Sequence, residues 1–423
     1  MERSERPDGS PSAPRGAPTY DAVVIGGGPS GATAAEDLAR AGWSVLLLDK
    51  AGRIKPCGGA VPPRLIRDFD IPADLIVARI HTARIVSPTD REVDMPIDGG
   101  YVGMVDREDF DEFLRERARA AGATRVDGRF QEIARDADGT ALVRYQPKGA
   151  DKNAEPLAVR ARIVIGADGA NSAVAKQAVT DNSRTPCVFA YHEIIKVPQD
   201  IAARGGKYDG ERCDVYYQGG LSPDFYAWVF PHGPHASIGT GSANKGFSLR
   251  GSVGRLRDAA GLSGCETVRC EGAPIPLKPL KRWDNGRDVI LAGDAAGVVA
   301  PASGEGIYYA MLGGRLSAQA AAKCLETGDA RALKLARKIF MKEHGRVFFI
   351  LGIMQRFWYT TDKRRERFVS MCADPDVQRL TWEAYMNKRL VRAKPAAHVR
   401  IFFKDLAHLA GVVSERWGAV TRR

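Results

Sequence analysis

The sequence predicts an α/β fold, α+β overall, in which a Rossmann-like dinucleotide-binding domain carries an inserted antiparallel sheet and precedes a C-terminal helical region. Three observations predict it. An apolar run at 20–25 ends in the pattern Gly26-x-Gly28-x-x-Gly31 and continues at once into the helix-forming stretch 32–41. Between residues 188 and 241, long strand-type segments follow one another with few helical stretches. The chain from residue 330 onward is helical in pattern, basic and aromatic.

The glycine loop predicts a site for a dinucleotide pyrophosphate. Its first glycine permits a tight turn, the second lets the phosphates approach the backbone, and the third allows close helix–strand packing. The helix N-terminus offers free N–H groups and a positive dipole end. The next strand, 44–48, ends in an acidic residue, which in this position usually binds the adenosine ribose. A glycine turn that only joins a strand to a helix is the alternative. The residues assigned to the cofactor here are Gly26, Gly28, Pro29, Ser30, Gly31, Asp49 and Lys50.

Length, charge and cysteine content narrow the class of protein. The 423 residues allow two or three units of core-forming size. A net charge of +11 attracts acidic surfaces such as nucleic acid, anionic lipid head groups and diphosphates. No basic run interleaved with aromatics accompanies a nucleic-acid motif, so nucleic acid is not expected as a partner. The seven cysteines are scattered and lack CxxC spacing, which argues for a reducing compartment and against a disulfide framework or a metal site.

The pattern along the chain predicts how the domains divide. Residues 1–18, rich in Ser, Pro, Arg and Gly, predict a disordered tail. The nucleotide domain is predicted at 19–90, 106–180 and 280–328, the antiparallel-sheet substrate domain at 91–105 and 181–279, and the helical region at 329–423. No uncharged apolar stretch of roughly 18 residues occurs, so no membrane span is expected. The apolar segment 347–354 with its basic flank 363–367 fits either a core helix or one lying in a membrane interface.

Two later turns add to the glycine loop and carry a resemblance. Gly166-Ala167-Asp168-Gly169 and Ala292-Gly293-Asp294 each end an apolar strand. With the first loop they resemble the flavoprotein group typified by aromatic hydroxylases, which bind FAD beneath a sheet domain. In that group the Gly-Asp acid reaches the ribityl chain or its phosphate, and the next helix points its N-terminus at the flavin pyrimidine edge. The residues that the resemblance assigns to FAD are Arg107, Ala167, Asp168, Gly293, Asp294, Gly304, Gly306 and Ile307.

One of these assignments has an alternative interpretation, and at another the sequence departs from the motif of the flavoprotein group. Arg107 opens a predicted amphipathic helix, where a surface arginine is the alternative. The group's Asp-Gly-x-x-Ser-x-x-Arg motif ends here in Ala175, with Lys176 next. The missing arginine puts an NAD(P)H-bridging role of that position in doubt.

Two further motifs are similar to those of geranylgeranyl reductases, and the similarity extends over nearly the whole chain after residue 18. Pro223-x-x-Tyr226-x-Trp228-x-Phe230-Pro231 places three aromatic rings on one face of a strand, a wall suited to a polyprenyl chain. A sheet face packed on a helix is the alternative. Lys55-Pro56-Cys57-Gly58-Gly59 matches the family's cysteine loop beside the flavin. An inert buried cysteine is the alternative, but the irregular loop favours exposure toward a ligand. His232, where plant-type members tend to have Lys, favours the bacteriochlorophyll branch.

The resemblance implies FAD-dependent, NADPH-driven reduction of the isolated double bonds of a geranylgeranyl group to phytyl, in chlorophyll or bacteriochlorophyll synthesis. The substrate is geranylgeranyl diphosphate or the geranylgeranylated pigment. An isolated alkene needs an acid held in a dry pocket. Cys57, Gly58 and Gly59 are the catalytic candidates, with the thiol or a water held by the two glycines as that acid. Tyr226, Trp228, Phe230 and Pro231 are assigned to the substrate.

The resemblance also implies a place in the cell and leaves two other classes of protein open. It implies a protein on the cytoplasmic side, peripheral to the photosynthetic membrane and associated there with chlorophyll synthase. An FAD monooxygenase or halogenase of the same fold is one alternative, since fold does not fix chemistry. A non-catalytic prenyl-pigment carrier is the other, although it has little reason to keep three FAD signatures.

Overall fold

The computed structural model describes residues 16–50, 52, 54–151, 153–179, 185–201 and 207–388. The predicted tail up to residue 15 and the part of the predicted helical region after residue 388 lie outside these ranges. The strands of the described chain are β1 (Thr19–Ile25), β2 (Val45–Asp49), β3 (Ala60–Val61), β4 (Ala78–Ile80), β5 (Thr82–Val86), β6 (Glu92–Pro96), β7 (Val102–Met104), β8 (Thr124–Arg135), β9 (Ala141–Pro147), β10 (Leu157–Gly166), β11 (Cys187–Lys196), β12 (Arg212–Tyr216), β13 (Ala227–His232), β14 (His235–Ser242), β15 (Thr267–Pro276) and β16 (Val289–Leu291). Its α-helices are α1 (Pro29–Arg40), α2 (Pro63–Asp68), α3 (Arg107–Ala120), α4 (Ala173–Ala178), α5 (Leu249–Ala259), α6 (Ile307–Thr327), α7 (Lys334–Trp358), α8 (Asp362–Cys372) and α9 (Pro375–Asn387).

A six-stranded sheet carries the glycine loop. β1 lies between β2 and β10, with β8 beyond β2 and β16 beyond β10, and all these pairs are parallel. β9 pairs antiparallel with both β8 and β10. Val23, Leu47 and Val164 in the central strands are fully buried, as expected of parallel strands covered by helices. This mixed α/β architecture confirms the predicted fold class.

The register of the parallel strands brings the three predicted turns together. Ile25 of β1 pairs with Gly166 of β10, which in turn pairs with Leu291 of β16. Because parallel strands end at the same edge of a sheet, the turns that follow these residues lie side by side. Ligands of open α/β sheets bind at this edge. Motifs that stand far apart in the sequence therefore border one site.

A seven-stranded sheet holds the aromatic motif. Its order is β15-β11-β14-β13-β12-β5-β6, and every pair is antiparallel except β12 with β5. One face packs on α5, where Val229 and Ile238 meet Val253 and Leu256. The other face, with Trp228, packs toward the C-terminal helices. Because side chains alternate between the two faces along β13, its aromatic residues lie on the face that is turned toward the six-stranded sheet and the C-terminal helices.

The predicted division at residue 90 falls inside this seven-stranded sheet. β5 forms a hairpin with β6 and pairs in parallel with β12, so residues 82–86 lie in the sheet that was predicted to start at 91. The predicted segment 91–105 also includes β7, which pairs with β3 and β4 in a separate three-stranded sheet. The pairings of β5 with β12 and of β7 with β3 and β4 join segments that are not neighbours in the sequence, so the local pattern of residues did not reveal them. The division into domains itself stays a prediction.

The C-terminal helices are fastened to the loop that precedes the aromatic strand. Arg365 of α8 is buried and donates to the carbonyl oxygens of Ser222, at 3.1 Å, and of Pro223 and Tyr359. The Tyr359 hydroxyl in turn donates to the Ala302 carbonyl at 3.0 Å. These carbonyl groups and the Asp362 carboxylate, at 2.6 Å, lower the cost of burying the guanidinium, although its Nε has no hydrogen-bond partner in the described chain. No described helix combines the length and the apolar composition needed to cross a membrane.

Candidate active site

Three adjoining cavities run from the glycine loop to the C-terminal helices. The glycine-loop cavity lies between Gly26 and Asp168, the central cavity between Cys57 and Trp228, and the aromatic cavity between Phe230 and Tyr385. The central cavity has a volume of about 100 Å³ and is smaller than the cavities on either side of it. The glycine-loop cavity has a volume of about 300 Å³ and the aromatic cavity about 220 Å³. It shares Lys55, Arg107 and Asp294 with the glycine-loop cavity and Cys57, Tyr226 and Phe230 with the aromatic cavity. The three spaces therefore form one continuous path.

The glycine loop has the shape and the free hydrogen-bonding groups that a pyrophosphate requires. Gly26 has φ +105°, and a Cβ there would lie 2.4 Å from the Ala167 carbonyl oxygen. A Cβ at Gly31 would lie 1.8 Å from the Gly26 oxygen, so α1 packs directly on the turn. An added Cβ at Gly28, by contrast, meets nothing within 4 Å. The Ser30 hydroxyl is buried without a hydrogen-bond partner in the described chain, a vacancy that a phosphate oxygen at the α1 N-terminus would satisfy.

The two acidic residues predicted in this cavity both line it together with Lys50. Asp49 ends β2 and accepts a hydrogen bond from the Gly27 N–H at 2.8 Å, which ties the strand end to the glycine loop. Asp168 accepts from the Ser172 hydroxyl at 2.5 Å and from the Ala173 N–H at 2.6 Å, and so caps α4. Burial raises the pKa of Asp168 above its ordinary value, although these donors oppose the rise.

Asp294 lies where the glycine-loop cavity meets the central cavity. It follows β16 in the turn Gly293–Ala296, and its side chain forms an ion pair with Lys55 of the cysteine loop. Gly293 is held close to the glycine loop, since a Cβ there would lie 2.7 Å from the Ser30 Cβ. Lys55 belongs to the cysteine motif, but the sequence predicted no role for it. Its charge lies close to an acid predicted to meet the ribityl chain and its phosphate.

Arg107 is a buried residue, not a surface one. Its guanidinium forms a bidentate pair with Asp111 at 2.7 and 2.8 Å and contacts the Cys57 side chain. Burial opposes the charge of Arg107, but Asp111 and Cys57 outweigh it and raise the pKa of the guanidinium. Arg107 thus holds a fixed positive charge at the wall that the glycine-loop and central cavities share.

The N-terminus of α6 faces the central and aromatic cavities. The helix was expected from about residue 304, but it begins at Ile307, because Gly304 adopts φ +63° and Gly306 is the N-cap. The intervening Glu305 forms a buried ion pair with Lys388 at 2.9 Å. Burial lowers the pKa of Lys388 from its ordinary value, although Glu305 opposes this shift. The other carboxylate oxygen of Glu305 accepts from the Tyr308 N–H at 3.1 Å, so Glu305 links Lys388 to the first turn of α6.

The aromatic motif forms a wall across the path. Tyr226 precedes β13, yet it lines the central cavity together with Trp228 and Phe230. The ring centroids lie 5.9 Å apart for Tyr226 and Trp228 and 6.2 Å apart for Trp228 and Phe230. The Tyr226 hydroxyl donates to the Ser303 carbonyl at 2.5 Å, which joins the wall to the loop before α6. Pro231 lines none of these three cavities and pairs with Ala236 of β14.

The cysteine loop lies between this wall and α3. Cys57 is partly buried, lines both the central and the aromatic cavity, and accepts a contact from the Gly59 N–H at 3.4 Å. A Cβ at Gly58 would lie 2.8 Å from the Phe230 ring. His232, which in the sequence only distinguishes branches of the family, fixes the loop in the structure. Its Nε2 lies 3.1 Å from the Gly58 carbonyl oxygen, and its Nδ1 lies 2.9 Å from Asp106 Oδ1. The loop is therefore held in place from both sides.

Sequence reasoning missed several residues that border these cavities. They are Lys55, His192, Glu305, Trp382 and Tyr385. α9 brings Trp382 and Tyr385 to the aromatic cavity. Glu305 stands between the assigned residues Gly304 and Gly306 but was given no role itself, and His192 stands in no recognisable motif. Only the pairing of distant strands and helices brings them to the site.

Comparisons with known proteins agree with this arrangement. The family model described as lycopene cyclase protein matches residues 21–193. A geranylgeranyl diphosphate reductase of Rhodobacter capsulatus is 58% identical over 94% of this chain and 99% of its own length. The crystal structure of a geranylgeranyl bacteriochlorophyll reductase-like protein of Thermoplasma acidophilum has a TM-score of 0.77 at 22% identity, covering 94% of this chain and all of the other. The flavin-dependent brominase Bmp2 has a TM-score of 0.70 at 16% identity, covering 93% of this chain and 100% of its own.

The two likenesses to solved structures concern the fold alone, because both identities are low. The sequence likeness is of another kind, since it extends with high identity over almost the full length of both chains. The motifs that suggested the family, the cysteine loop and the aromatic strand, border one path in the structure. On this basis the chain belongs to the geranylgeranyl diphosphate reductase family.

Proposed function

We propose that this protein reduces the isolated double bonds of a geranylgeranyl group to give a phytyl group, with FAD as bound cofactor and NADPH as reductant. The observation that carries the proposal is the continuous path through the three cavities. It places Cys57 between a dinucleotide-shaped cradle and a cavity walled by aromatic rings. Membership in the family supports the same reaction.

The residues that hold FAD in this proposal line the glycine-loop and central cavities. The α1 N-terminus with Ser30 binds the pyrophosphate, and Asp49 with Lys50 meets the ribose. Asp294 and Lys55 lie beside the ribityl chain. The α6 N-terminus, with Ile307, faces the pyrimidine edge and stabilises negative charge there. When bound, FAD supplies the hydride that one alkene carbon receives.

The chain itself provides the proton for the other alkene carbon. An isolated alkene has no carbonyl to store charge, so proton and hydride must arrive together or the proton first. Cys57 borders both cavities and donates from its thiol, which leaves a thiolate against the Arg107 guanidinium. A cation at hydrogen-bonding distance stabilises that thiolate. Water restores the proton before the next double bond enters.

The aromatic cavity fits the apolar part of the substrate. Its walls include Ile80, Val215 and Phe230, and Trp382 and Tyr385 lie at its far side. Apolar walls accept an unbranched or methyl-branched chain without specific hydrogen bonds, so the chain can move along the cavity between successive reductions. Geranylgeranyl diphosphate and the geranylgeranylated pigment share this prenyl group, and both are proposed as substrates within chlorophyll or bacteriochlorophyll synthesis.

We also propose that the protein contacts the cytoplasmic side of the photosynthetic membrane through α7. Phe349, Ile350 and Ile353 are 69%, 37% and 52% exposed on one face of this helix. Arg346 and Arg356 are exposed on either side of them. Exposed apolar residues flanked by cations suit an anionic lipid surface. A prenylated substrate resides in the same surface, as would a chlorophyll synthase partner that uses the product.

Replacement of Cys57 tests the proposed chemistry. In C57A, FAD is expected to stay bound, because the thiol is not part of the cradle, while alkene reduction by the reduced protein falls strongly. C270A is the matched control, since Cys270 is an exposed cysteine that lines none of the three cavities. Full turnover in C57A would remove the thiol from the mechanism. A product that gains oxygen or halogen would favour the monooxygenase or halogenase alternative, and colourless protein with no turnover would favour the carrier.

A further inference from the structure

A chain of buried polar side chains runs behind the aromatic wall. The Trp228 indole N–H donates to the Ser237 hydroxyl at 3.2 Å, and Ser237 Oγ lies 2.9 Å from His192 Nδ1. His192 Nε2 lies 3.0 Å from a carboxylate oxygen of Glu271. Ser237 is fully buried, and Trp228 and His192 are nearly so. The chain crosses β13, β14, β11 and β15 and ends at the edge strand of the sheet.

With a neutral His192 imidazole, the chemistry of the two ends of the chain fixes the direction of every hydrogen bond. An indole N–H only donates, and a carboxylate only accepts. Ser237 therefore accepts from Trp228 and has its own proton free for His192 Nδ1. That nitrogen then acts as the acceptor, and the Nε2 proton is donated to Glu271. In this arrangement the Trp228 N–H and both His192 nitrogens each have one partner, and Ser237 Oγ joins two of them, so loss of one link leaves its neighbour unsatisfied.

The backbone of β14 leaves a space at Gly239 that the Trp228 indole fills. A Cβ at Gly239 would lie 2.2 Å from Trp228 Cζ2 and 2.7 Å from His192 Cβ, so the ring lies directly on the strand at a position that only glycine leaves open. A Cβ at Gly58 would lie 4.0 Å from Trp228 Nε1. The nitrogen-bearing edge of the indole thus faces the cysteine loop. A rotated indole would extend into the narrow central cavity.

We propose that Ser237, His192 and Glu271 are positioning residues that hold Trp228 flat on Gly239 and so keep the central cavity open for the prenyl chain. The inference rests on the proposed reductase function for its kinetic part only. Ser237 and Glu271 line none of the three cavities and so act through Trp228, whereas His192 also lines the central cavity itself. The expected effect is on substrate binding, with little change in FAD binding or in the limiting rate.

The test combines a spectroscopic and a kinetic measurement on the full-length FAD-loaded protein. The protein is labelled with 5-fluorotryptophan, and W228F identifies the Trp228 ¹⁹F resonance. Anaerobic reoxidation of dithionite-reduced protein by geranylgeranyl diphosphate gives the half-saturating concentration and the limiting rate. S237A should shift the Trp228 resonance and raise the half-saturating concentration about 5- to 10-fold, the effect of one lost buried hydrogen bond. S237T, which keeps the hydroxyl, and E271Q, which keeps an acceptor for His192, should both stay within about twofold of wild type, well below that hydrogen-bond effect.

S252A is the matched control. Ser252 is another fully buried serine, and its hydroxyl donates to the Leu221 carbonyl at 2.6 Å on the α5 side of the same sheet. It should lower stability without moving the Trp228 resonance. An unchanged resonance in S237A, or equal effects of S237A and S252A on resonance and half-saturation, would overturn the inference. If S237A does not fold, E271A, which removes the acceptor of His192 at a residue outside the three cavities, decides by the same two criteria. A wild type that does not react with the substrate contradicts the proposed function instead, and the ¹⁹F comparison still decides the positioning role.

Discussion

Removal of the Arg107 charge separates its role in stability from its role beside Cys57. Asp111 is only 6% exposed and forms both hydrogen bonds of its bidentate pair with Arg107. In R107M this carboxylate stays buried without a cation. Breaking a buried pair in this way costs about 3–5 kcal/mol. In R107M/D111L both charges are gone, and replacing a whole buried pair by apolar groups is often nearly neutral, so about 2 kcal/mol or more of the loss should return.

The chemistry should not recover with the stability. Both variants lack the cation that stabilises the Cys57 thiolate, a charge-assisted hydrogen bond of about 1.5–3 kcal/mol. The proton-dependent reoxidation of reduced protein by geranylgeranyl diphosphate should therefore be roughly 10- to 150-fold slower in both. Denaturant midpoints followed by circular dichroism on apoprotein measure the stability, and anaerobic single-turnover flavin absorbance measures the rate.

A surface arginine on the same helix supplies the control. Arg119 pairs with Glu116 at 2.7 Å, but its side chain is 61% exposed. Exposed pairs contribute about 0–1 kcal/mol, so R119M should change neither measurement much. The reasoning would be refuted if R107M were as stable as the double variant, or if the double variant regained the wild-type rate.

Three further predictions concern the cofactor cradle, acid stability and the membrane face. G31A should abolish FAD binding, measured by flavin absorbance of purified protein, because the new Cβ would lie 1.8 Å from the Gly26 oxygen; G254A, where a Cβ meets nothing within 4 Å, should bind normally. The Arg125 guanidinium, helped by Arg115, lowers the pKa of Glu112 to about 2 from 4.5. The stability that this pair contributes is therefore complete above pH 4.5 and is lost as the pH falls toward 2. In acid titrations followed by circular dichroism, E112Q should be less stable than wild type at neutral pH and as stable as wild type near pH 2. A stability curve of E112Q that matches wild type at every pH would contradict the pairing. F349E/I353E should bind anionic vesicles at least roughly 100-fold more weakly than wild type in co-sedimentation, since the two buried side chains contribute about 1.5–3 kcal/mol each. Equal sedimentation would remove α7 from the interface.

The sequence predicts the parts of this protein that are set by local pattern. The glycine loop, the strands near residues 188–241 and the helix that starts at Arg107 depend on residue type and on periodicity of neighbours. The observed bounds of predicted elements differ by only a few residues, as in α1, predicted at 32–41 and observed at Pro29–Arg40, and β2, predicted at 44–48 and observed at Val45–Asp49. The aromatic strand could be placed for the same reason, because alternation along β13 determines which side chains share a face.

What the sequence did not predict depends on pairing between distant segments. The prediction placed residues 82–86 with the nucleotide-binding segments, whereas β5 pairs with β12 of the seven-stranded sheet, well beyond any local window. The Lys55–Asp294 and Lys388–Glu305 pairs likewise join residues that are far apart in the sequence. A charged residue in a loop has the same appearance in sequence whether it is solvated or paired in a cavity. Arg107 illustrates this, since only the fold reveals that it is buried.

The most direct measurement is the mass of the prenyl product after anaerobic incubation of reduced, FAD-loaded protein with geranylgeranyl diphosphate and, separately, with the geranylgeranylated pigment. A reductase with Cys57 between the redox cofactor and the aromatic cavity predicts products heavier in steps of two hydrogens, up to three steps, with no oxygen or halogen gained. Unchanged mass with both substrates while the flavin stays reduced would contradict it.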